Sequence, residues 1–405
     1  MRPVYGRSPW IDGVAKSRIP SYPKHSGDAG VDVAIVGGGL TGCVTAYVFA
    51  AAGLDVAVFE ADRIGRAGAG RASGWLTDEP AASFSELDAA LGRRAARHAC
   101  QAWRRAALDA AALLRRLDVK CRLEPRPSLI VAQTSEQAAH LLRDQKNRKD
   151  AGFDASIVPA RAISALAGFP ASAARRSRES AVLDPYRVTL GLAAAAAQRG
   201  ARIYERSPVT STAFTRADAT LTVGTRRVRA RRIIVATGNP APLFKALARH
   251  FTPRASFLVL TEPVPAKVRR ALGSRDHLIQ DSASPAHRVS WVADERLLIS
   301  GADGDVPPAR ARDQVLVQRT GQLMYELSTF YPDISGLPPA YGWDEQYCQT
   351  STGLPVIGPH RNYPHHLFAC GSQSSLTSAF LASRVLLRQH LDDPDPSDAS
   401  FGFGH

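Results

Sequence analysis

One stretch near the amino terminus, residues 31–60, constrains the possible folds of this chain more than any other. Residues 31–36 are apolar apart from one aspartate and predict a buried strand. A turn with glycines at positions 37, 38, 39 and 42 follows, then an alanine-rich segment that predicts a helix, and a second apolar strand that ends at Glu60. This order of strand, glycine turn, helix, strand and acid is typical of a parallel βαβ unit that binds a dinucleotide.

Three of these glycines have separate roles in such a unit. Gly37 permits the tight turn, Gly39 lets the backbone approach a pyrophosphate, and Gly42 allows the helix to pack closely on the strand. Amide groups at the start of the helix would then bind the anion. Glu60 lies about 18 residues past Gly42, close to the spacing of an acid that binds ribose hydroxyls. A glycine-rich turn without a ligand is the alternative, but the surrounding strand, helix and acid favour a nucleotide site.

Length and composition indicate a globular protein with two lobes. A chain of 405 residues exceeds one typical hydrophobic core, and its 45% hydrophobic and 22% charged residues are ordinary for soluble proteins. The cysteines show no CxxC spacing, which favours a reduced chain without a metal site. Residues 1–30 lack the apolar core of a secretory signal, and no run reaches the roughly 20 apolar residues of a membrane-spanning helix. We therefore expect a cytoplasmic protein without a transmembrane segment.

The net charge of +14 is compatible with an anionic substrate, a nucleic acid, a membrane surface or a solvated arginine-rich surface. Arginine pairs at positions 93–94, 104–105 and 115–116 would stack on one face of helical structure over residues 82–117, with Trp103 on the opposite, buried face. No aromatic residues interleave with these arginines, and the alanine–arginine bias runs through the whole chain. We therefore predict a solvated helix face and no nucleic-acid partner.

The order of the remaining segments predicts an α/β fold with a Rossmann-like nucleotide domain that is split in sequence. A second buried strand, residues 232–236, ends in Thr237 and Gly238, where small side chains suit backbone packed against a cofactor. Residues 254–305 alternate strands with turns and predict antiparallel sheet. We assign residues 1–80, 181–245 and 340–405 to the nucleotide domain, and residues 81–180 and 246–339 to an inserted helical and β-rich lobe for the substrate.

A loop of glycine, alanine and arginine over residues 61–77 follows the βαβ unit. It could be a flexible linker or a lining of the cofactor site. Its position beside the nucleotide turn favours the second interpretation, because small residues let backbone lie against a flat ligand and Arg66 or Arg71 could reach phosphate.

Four segments, residues 32–61, 68–77, 233–238 and 343–387, resemble the D-amino-acid oxidase superfamily of flavoenzymes, which includes glycine oxidase and sarcosine oxidase. Their order and spacing are most similar to the gamma-glutamylputrescine-oxidase-like branch. The most specific match is 343–358, which is similar to that branch's tryptophan, its aspartate-glycine-leucine-proline turn and its isoleucine-glycine pair. The resemblance covers nearly the whole chain.

The resemblance implies FAD bound in an extended form, with the β-rich lobe over the isoalloxazine. It also implies oxidation of a CH–NH bond of an amine or amino acid by hydride transfer to flavin N5, with oxygen or another carrier as the electron acceptor. The matching positions are Gly37, Gly39, Leu40, Thr41, Gly42, Glu60 and Ala61 for the ADP half; Gly70, Arg71, Gly74, Trp75 and Leu76 along the pyrophosphate and flavin; Val209, Thr237 and Gly238 near the adenine; and Gly371, Leu376 and Thr377 at the pyrimidine end.

The substrate would lie against the segments that return to the flavin and against the β-rich lobe. The predicted substrate-facing residues are Trp343, Gln346, Ser372 and Gln373 on the returning segments, and Arg288 and Trp291 on the lobe. Arg288 could bind a carboxylate and Trp291 could stack on an amine. A purely structural role in a sheet is the alternative for each. No catalytic residue and no metal ligand is assigned, because positioning dominates catalysis in these enzymes.

The sequence departs from the family pattern at three places. The family's glycine-rich loop after the last strand reads here Gly371-Ser372-Gln373-Ser374-Ser375-Leu376-Thr377, and Thr352 replaces the aspartate of the turn. Ala72 and Ser73 replace the asparagine and the following glycine of the usual glycine-arginine-asparagine-glycine-glycine. Cys348 lies near a position where some members attach flavin covalently, but about three residues out of register; a buried thiol is the simpler interpretation.

Two other functions remain as alternatives. The altered loop is compatible with a flavin-binding accessory protein or subunit that has little turnover of its own. An NAD-dependent dehydrogenase is disfavoured by the split domain and by the second strand that ends in alanine, threonine and glycine.

Overall fold

A computed structural model describes residues 2–154, 156–272, 274–373 and 375–404, which form two large β-sheets, one small sheet and the helices around them. The helices are α1 (Pro9–Asp12), α2 (Leu40–Ala51), α3 (Phe84–Leu91), α4 (Arg93–Arg116), α5 (Ser135–Asp150), α6 (Ala160–Ala167), α7 (Pro185–Gln198), α8 (Ala266–Ala271), α9 (Arg312–Phe330) and α10 (Leu376–His390). The strands are β1 (Val4–Tyr5), β2 (Ala29–Val36), β3 (Val56–Phe59), β4 (Trp75–Leu76), β5 (Glu124–Pro125), β6 (Ser128–Ala132), β7 (Ser156–Ile157), β8 (Ala173–Ser177), β9 (Ala181–Val182), β10 (Arg202–Tyr204), β11 (Val209–Phe214), β12 (Ala219–Val223), β13 (Arg226–Gly238), β14 (Thr252–Thr261), β15 (Leu278–Asp281), β16 (Arg288–Val292), β17 (Arg296–Asp305), β18 (Pro339–Gln349), β19 (Val356–His360) and β20 (Tyr363–Cys370).

The first large sheet contains the predicted βαβ unit. Its strand order is β10-β3-β2-β13-β12-β11, with β20 paired to the carboxyl half of β13 and β19 paired to β20. Strands β2 and β3 run parallel to each other and to β13, and their apolar residues are buried, as expected for central strands covered on both faces. Helix α2 packs against α7 and α10. The prediction of strand, glycine turn, helix and strand is therefore confirmed.

The second large sheet has nine strands in the order β1-β18-β14-β17-β16-β15-β6-β8-β7. Helix α9 packs against β14, β17 and β18, and its buried face includes Leu316, Leu323 and Leu327. A separate apolar cluster contains Leu298 of this sheet and the amino-terminal Trp10. The sheet is thus covered by α9 on one face and contacts the nucleotide half on the other.

The position of β18 differs from the predicted division of the chain into two domains. We expected residues from 340 onward to return to the nucleotide domain, but β18 pairs with β14 along its length and belongs to the nine-stranded sheet. The chain returns to the first large sheet at β19. Residues 339–349 and the following 356–370 both mix aromatic, apolar and polar residues, so composition alone could not assign them to different sheets. The remaining domain boundaries stay predictions.

The arginine-rich segment forms α3 and α4, as predicted. The three arginine pairs are exposed, whereas Trp103, Leu113 and Leu114 are buried. This distribution supports a solvated arginine face. In the part of the chain that the structure describes, no helix is both long enough and apolar enough to cross a bilayer.

Candidate cofactor and substrate site

The glycine turn between β2 and α2 has no space for side chains on its inner side. Gly37 has a φ of 106°, a region that favours glycine, and a Cβ there would lie 2.7 Å from the carbonyl oxygen of Ala236. A Cβ on Gly42 would lie 1.9 Å from the carbonyl oxygen of Gly37. The turn therefore packs directly against the end of β13 and against the first turn of its own helix.

The outer side of the same turn is open. A Cβ on Gly39 would meet no atom within 4 Å, and Gly39 is the N-cap of α2 without a side-chain cap. The first amides of an α-helix have no partner within the helix. Leu40 and Thr41 carry such amides, so an uncapped helix start borders an open space, which is the arrangement that binds a phosphate.

Glu60 is held beside this turn by backbone amides. Its carboxylate accepts hydrogen bonds from the amide of Gly38 at 2.7 Å and from the amide of Asp62 at 2.8 Å. Burial raises the pKa of Glu60, although these two hydrogen bonds act in the opposite direction. Ala61, next in sequence, is exposed. The acid is therefore fixed beside the glycine turn, and its contact with a ribose stays a prediction.

The predicted adenine-side residues come from two elements near Glu60. Thr237 and Gly238 are exposed at the end of β13, directly after the Ala236 carbonyl that Gly37 approaches. Val209 begins β11, two residues after Ser207, whose amide donates to the carbonyl of Glu60 at 2.8 Å. The structure thus brings these positions to the same end of the sheet as the glycine turn.

The segment over residues 68–77 is tied to both halves of the molecule. The indole N–H of Trp343 donates to the carbonyl of Arg71 at 2.8 Å, and that of Trp10 donates to the carbonyl of Ala72 at 2.9 Å. The guanidinium of Arg71 donates to Asp344 at 3.1 Å. Arg71 is therefore engaged by a carboxylate of β18 through Nη1, and its amide and carbonyl are also hydrogen-bonded. Its contact with the cofactor stays a prediction.

The rest of that segment passes close to two other strands. Gly70 donates its amide to Gly65, and a Cβ on Gly74 would lie 2.4 Å from the carbonyl oxygen of Leu183. Residues 75 and 76 form β4, which pairs with β9, and the Trp75 indole donates to Ser290 of β16 at 3.2 Å. The segment is ordered by these contacts, which favours a lining of the site over a flexible linker.

The altered loop after β20 follows a path that Ser372 and Ser375 can adopt. Gly371 has a φ of 85°, and among the described residues of 371–377 it alone has a positive φ; Ser374 lies outside the described residues. Helix α10 then begins at Leu376, with Ser375 as an N-cap that makes no side-chain capping bond. Thr377 donates its hydroxyl to the carbonyl of Thr77 at 2.8 Å, which joins the start of α10 to the 68–77 segment.

A polar network connects this loop to the nine-stranded sheet. The Arg288 guanidinium donates to the side-chain oxygen of Gln373 at 2.7 Å and to that of Gln280 at 2.9 Å. The amide nitrogen of Gln373 lies 3.5 Å from Asp303, and the Tyr347 hydroxyl donates to the same carboxylate oxygen at 2.8 Å. Two predicted substrate-facing residues, Arg288 and Gln373, are thus brought into direct contact.

The sequence gave no direct indication of Asp303 and Tyr347. Tyr347 lies four positions after Trp343 in one strand, so alternation places both on the same face. The spacing of four from Trp343 is therefore the sequence signal that could have predicted Tyr347 on this face. Asp303 follows Ala302, which has a φ of 51° at an irregularity in the pairing of β17, and such a local change of register is not readable from composition.

The other four predicted substrate residues lie apart from this network. Trp343 is 0% exposed and supports the Arg71 segment through its indole. Gln346 is exposed, and its odd spacing from Trp343 places it on the other face of β18, so the structure does not bring it to the network. Trp291 is buried in the core beneath α9, and Ser372 contacts Ser378 of α10.

Cys348, near the end of β18, is a buried thiol that packs in one apolar cluster with residues of the first sheet. It is 2% exposed, and burial raises its pKa to about 11. A thiol in this state is a poor nucleophile. This environment agrees with the interpretation of Cys348 as a buried thiol rather than as a site of flavin attachment.

The fold and the turn geometry are those of a dinucleotide-binding protein, and comparison with known proteins identifies the family. A family model described as "DAO: FAD dependent oxidoreductase" matches residues 32–389, and the chain belongs to this family. Its cofactor is FAD, and the open, uncapped start of α2 with Glu60 beside it fits the ADP half of that molecule. The predictions of the family, of the cofactor and of an enzyme are confirmed.

Three similar proteins illustrate the relationship. The chain is 27% identical over 379 residues to gamma-glutamylputrescine oxidoreductase of Escherichia coli (strain K12), a match that covers 92% of this chain and 87% of that protein. It is similar in fold to glycine oxidase from Geobacillus kaustophilus, with a TM-score of 0.75 at 20% identity over 93% of this chain and 99% of that one. L-amino acid deaminase from Proteus myxofaciens gives a TM-score of 0.75 at 15% identity, with 95% of each chain covered.

Proposed function

We propose that this flavoprotein oxidises a CH–NH bond of a small amine or amino acid. The observation that carries the proposal is the contact between Arg288 of the nine-stranded sheet and Gln373 of the loop before α10, because it brings polar side chains of the sheet against the cofactor half. The printed names of similar proteins, a gamma-glutamylputrescine oxidoreductase, a glycine oxidase and an L-amino acid deaminase, support the same substrate class.

The chain's own residues would bind FAD in three places. The uncapped amides of α2 at Leu40 and Thr41 would hold the pyrophosphate, and Glu60 would bind ribose hydroxyls. The backbone from Gly70 to Leu76 would lie along the flavin side. The uncapped start of α10, at Leu376 and Thr377, would place positive helix-dipole charge near the pyrimidine ring.

When bound, FAD supplies the hydride acceptor, and the protein supplies orientation and electrostatics. Arg288 would orient the substrate, because its guanidinium can bind a carboxylate with two parallel hydrogen bonds. Gln373 holds the Arg288 side chain in place through the 2.7 Å hydrogen bond. The apolar cover formed by Trp343 and its neighbours would exclude water from the same region.

The altered loop favours one second candidate, a flavin-binding accessory protein with little turnover. Serine and glutamine replace glycines there, and the Gln373 side chain reaches across to the sheet. Such a side chain could restrict the space above the flavin. The two candidates differ in whether amines reduce the bound flavin.

An anaerobic substrate panel separates the two candidates. Purified protein with bound FAD would be mixed with primary amines and amino acids, and with the 2-hydroxy acid analogue of each amino acid as a matched control. Bleaching of the oxidised-flavin band by the nitrogen compounds alone supports CH–NH oxidation. No bleaching by any member supports the accessory protein. Admission of air afterwards shows whether oxygen reoxidises the flavin or another carrier is required.

A further inference from the structure

Arg288 and Asp303 are opposite charges that face each other across a neutral side chain. Both are half-buried, and Gln373 lies between them, with its oxygen toward Arg288 and its nitrogen toward Asp303. Among the residues that the structure describes, neither charge has a partner of opposite sign within the 4.0 Å limit for an ion pair. Half-buried charges usually acquire a counter-charge, so this pair has the character of a site for a ligand.

The hydrogen bonds around Asp303 orient its carboxylate. The Tyr347 hydroxyl donates to Oδ2 at 2.8 Å, and the Gln373 amide nitrogen approaches the same oxygen at 3.5 Å. Burial and the charge of Asp303 raise the pKa of Tyr347, so the phenol remains a protonated donor. Both described donors act on Oδ2, and the acceptor capacity of Oδ1 is left for a ligand.

We propose that Asp303, positioned by Tyr347, binds a cationic nitrogen of the substrate other than the nitrogen that is oxidised. This inference rests on the proposed function and adds a substrate class to it: amines that carry a second, positively charged nitrogen. A carboxylate stabilises an ammonium group through charge-assisted hydrogen bonds. It would therefore oppose the deprotonation that a nitrogen needs before hydride can leave the adjacent carbon, which makes it suited to the spectator nitrogen.

The position of the site agrees with this division of roles. Gln373 belongs to the loop that leads into α10, whose start contacts the 68–77 segment through Thr377 and Thr77. Asp303 lies on the nine-stranded sheet, on the far side of Gln373 from that helix start. A substrate with one nitrogen near the flavin could thus extend a second nitrogen toward Asp303.

A matched pair of ligands tests the inference. The probes are 1,4-diaminobutane and 1-aminobutane, which share a carbon chain and differ by one nitrogen. Dissociation constants would be measured by anaerobic calorimetry on FAD-loaded protein already reduced with dithionite, so that the flavin can accept no hydride from the ligand. The wild-type protein should bind the diamine more tightly. Asp303→Asn should weaken diamine binding about 10- to 100-fold, the range for a hydrogen bond to a charged group, and leave the monoamine unchanged.

Two further variants keep the result interpretable. Tyr347→Phe should weaken diamine binding by a smaller factor, because the carboxylate remains and only its orientation is lost. Asp305→Asn is the matched control, since this carboxylate is two residues away on the same strand and 91% exposed. Equal loss for both ligands in Asp303→Asn, or no preference for the diamine in the wild type, would overturn the inference. Tight, Asp303-dependent diamine binding would support the site even if the diamine and every member of the panel failed to reduce oxidised flavin, a result that would refute amine oxidation alone.

Discussion

At the scale of single residues, two glycines of one turn illustrate different constraints. A Cβ on Gly42 would lie 1.9 Å from the backbone oxygen of Gly37, whereas a Cβ on Gly39 would meet nothing within 4 Å. Both residues belong to the same sequence motif. The first is glycine because of the protein's own packing, and the second would be glycine because of the ligand.

Alanine substitutions should separate these two causes. Gly39→Ala should leave the melting temperature of FAD-free protein unchanged and raise the dissociation constant for FAD by about 10-fold or more, equivalent to roughly 1.4 kcal/mol. Gly42→Ala should lower the stability of the FAD-free protein by about 1–3 kcal/mol, the usual cost of overpacking. Denaturant unfolding and FAD fluorescence titration measure the two effects. A destabilised Gly39→Ala protein would contradict the assignment of the open side to the ligand.

At the scale of secondary-structure elements, one histidine links the β15–β16 hairpin to helix α9. His287 contacts Asp281 through Nδ1 at 2.8 Å and Glu326 of α9 through Nε2 at 2.6 Å. Burial alone would lower the pKa of His287, but the hydrogen bond and charge of Asp281, together with Glu326, raise it above its usual value. The imidazolium is therefore favoured in the folded state.

This linkage predicts a pH dependence of stability. A histidine with a raised pKa in the folded state contributes stability that is fully present below the unfolded pKa of about 6.5 and is lost as the pH rises through the folded pKa. Between about pH 6 and pH 9, unfolding free energy should therefore fall more in the wild type than in His287→Gln. The exposed His140→Gln provides the control and should follow the wild type. Parallel curves for all three proteins would exclude a role for His287.

The elements also show where sequence patterns stop being informative. The βαβ unit was predictable because its glycines, helix and strands are adjacent in sequence and their contacts are local. Residues 340–349 were predicted to belong with the nucleotide domain, but they lie in β18 of the nine-stranded sheet, and only the pairing of β18 with β14 decides this. The alternation of side chains along a strand can be read from the sequence. It places Tyr347, and not Gln346, on the same face of β18 as Trp343.

At the scale of the whole molecule, Asp344 connects three separate parts of the chain. Its carboxylate accepts hydrogen bonds from Arg71 of the 68–77 segment at 3.1 Å and from Arg312 of α9, and its side chain is 2% exposed. Burial alone would raise the pKa of Asp344, but Arg312 and Arg71 hold it below its usual value. The residue thus joins the sheet, its covering helix and the predicted cofactor lining.

Removal of this charge should loosen the connection between the halves. Asp344→Asn should destabilise the protein by about 1–3 kcal/mol, because two arginines would lose a charged acceptor. The exposed Asp305→Asn should change stability by less than about 0.5 kcal/mol. Denaturant unfolding at neutral pH measures the unfolding free energy of both variants and of the wild type. The stability difference between wild type and Asp344→Asn should shrink in acid, because a carboxylate with a lowered pKa loses its contribution to stability as the pH falls through that pKa. Equal stability of both variants at neutral pH would contradict this role.

The sequence by itself determined the nucleotide unit, because its motif is contiguous and its geometry depends on neighbouring residues. It also indicated the family and FAD, through the resemblance of four separate segments. Only the tertiary structure decided that Arg71 binds Asp344, that β18 lies in the second sheet, and that Arg288, Asp303, Tyr347 and Gln373 meet in one network. These contacts join residues up to 273 positions apart. They depend on strand pairing and on one irregularity in β17, and neither leaves a local pattern in the chain.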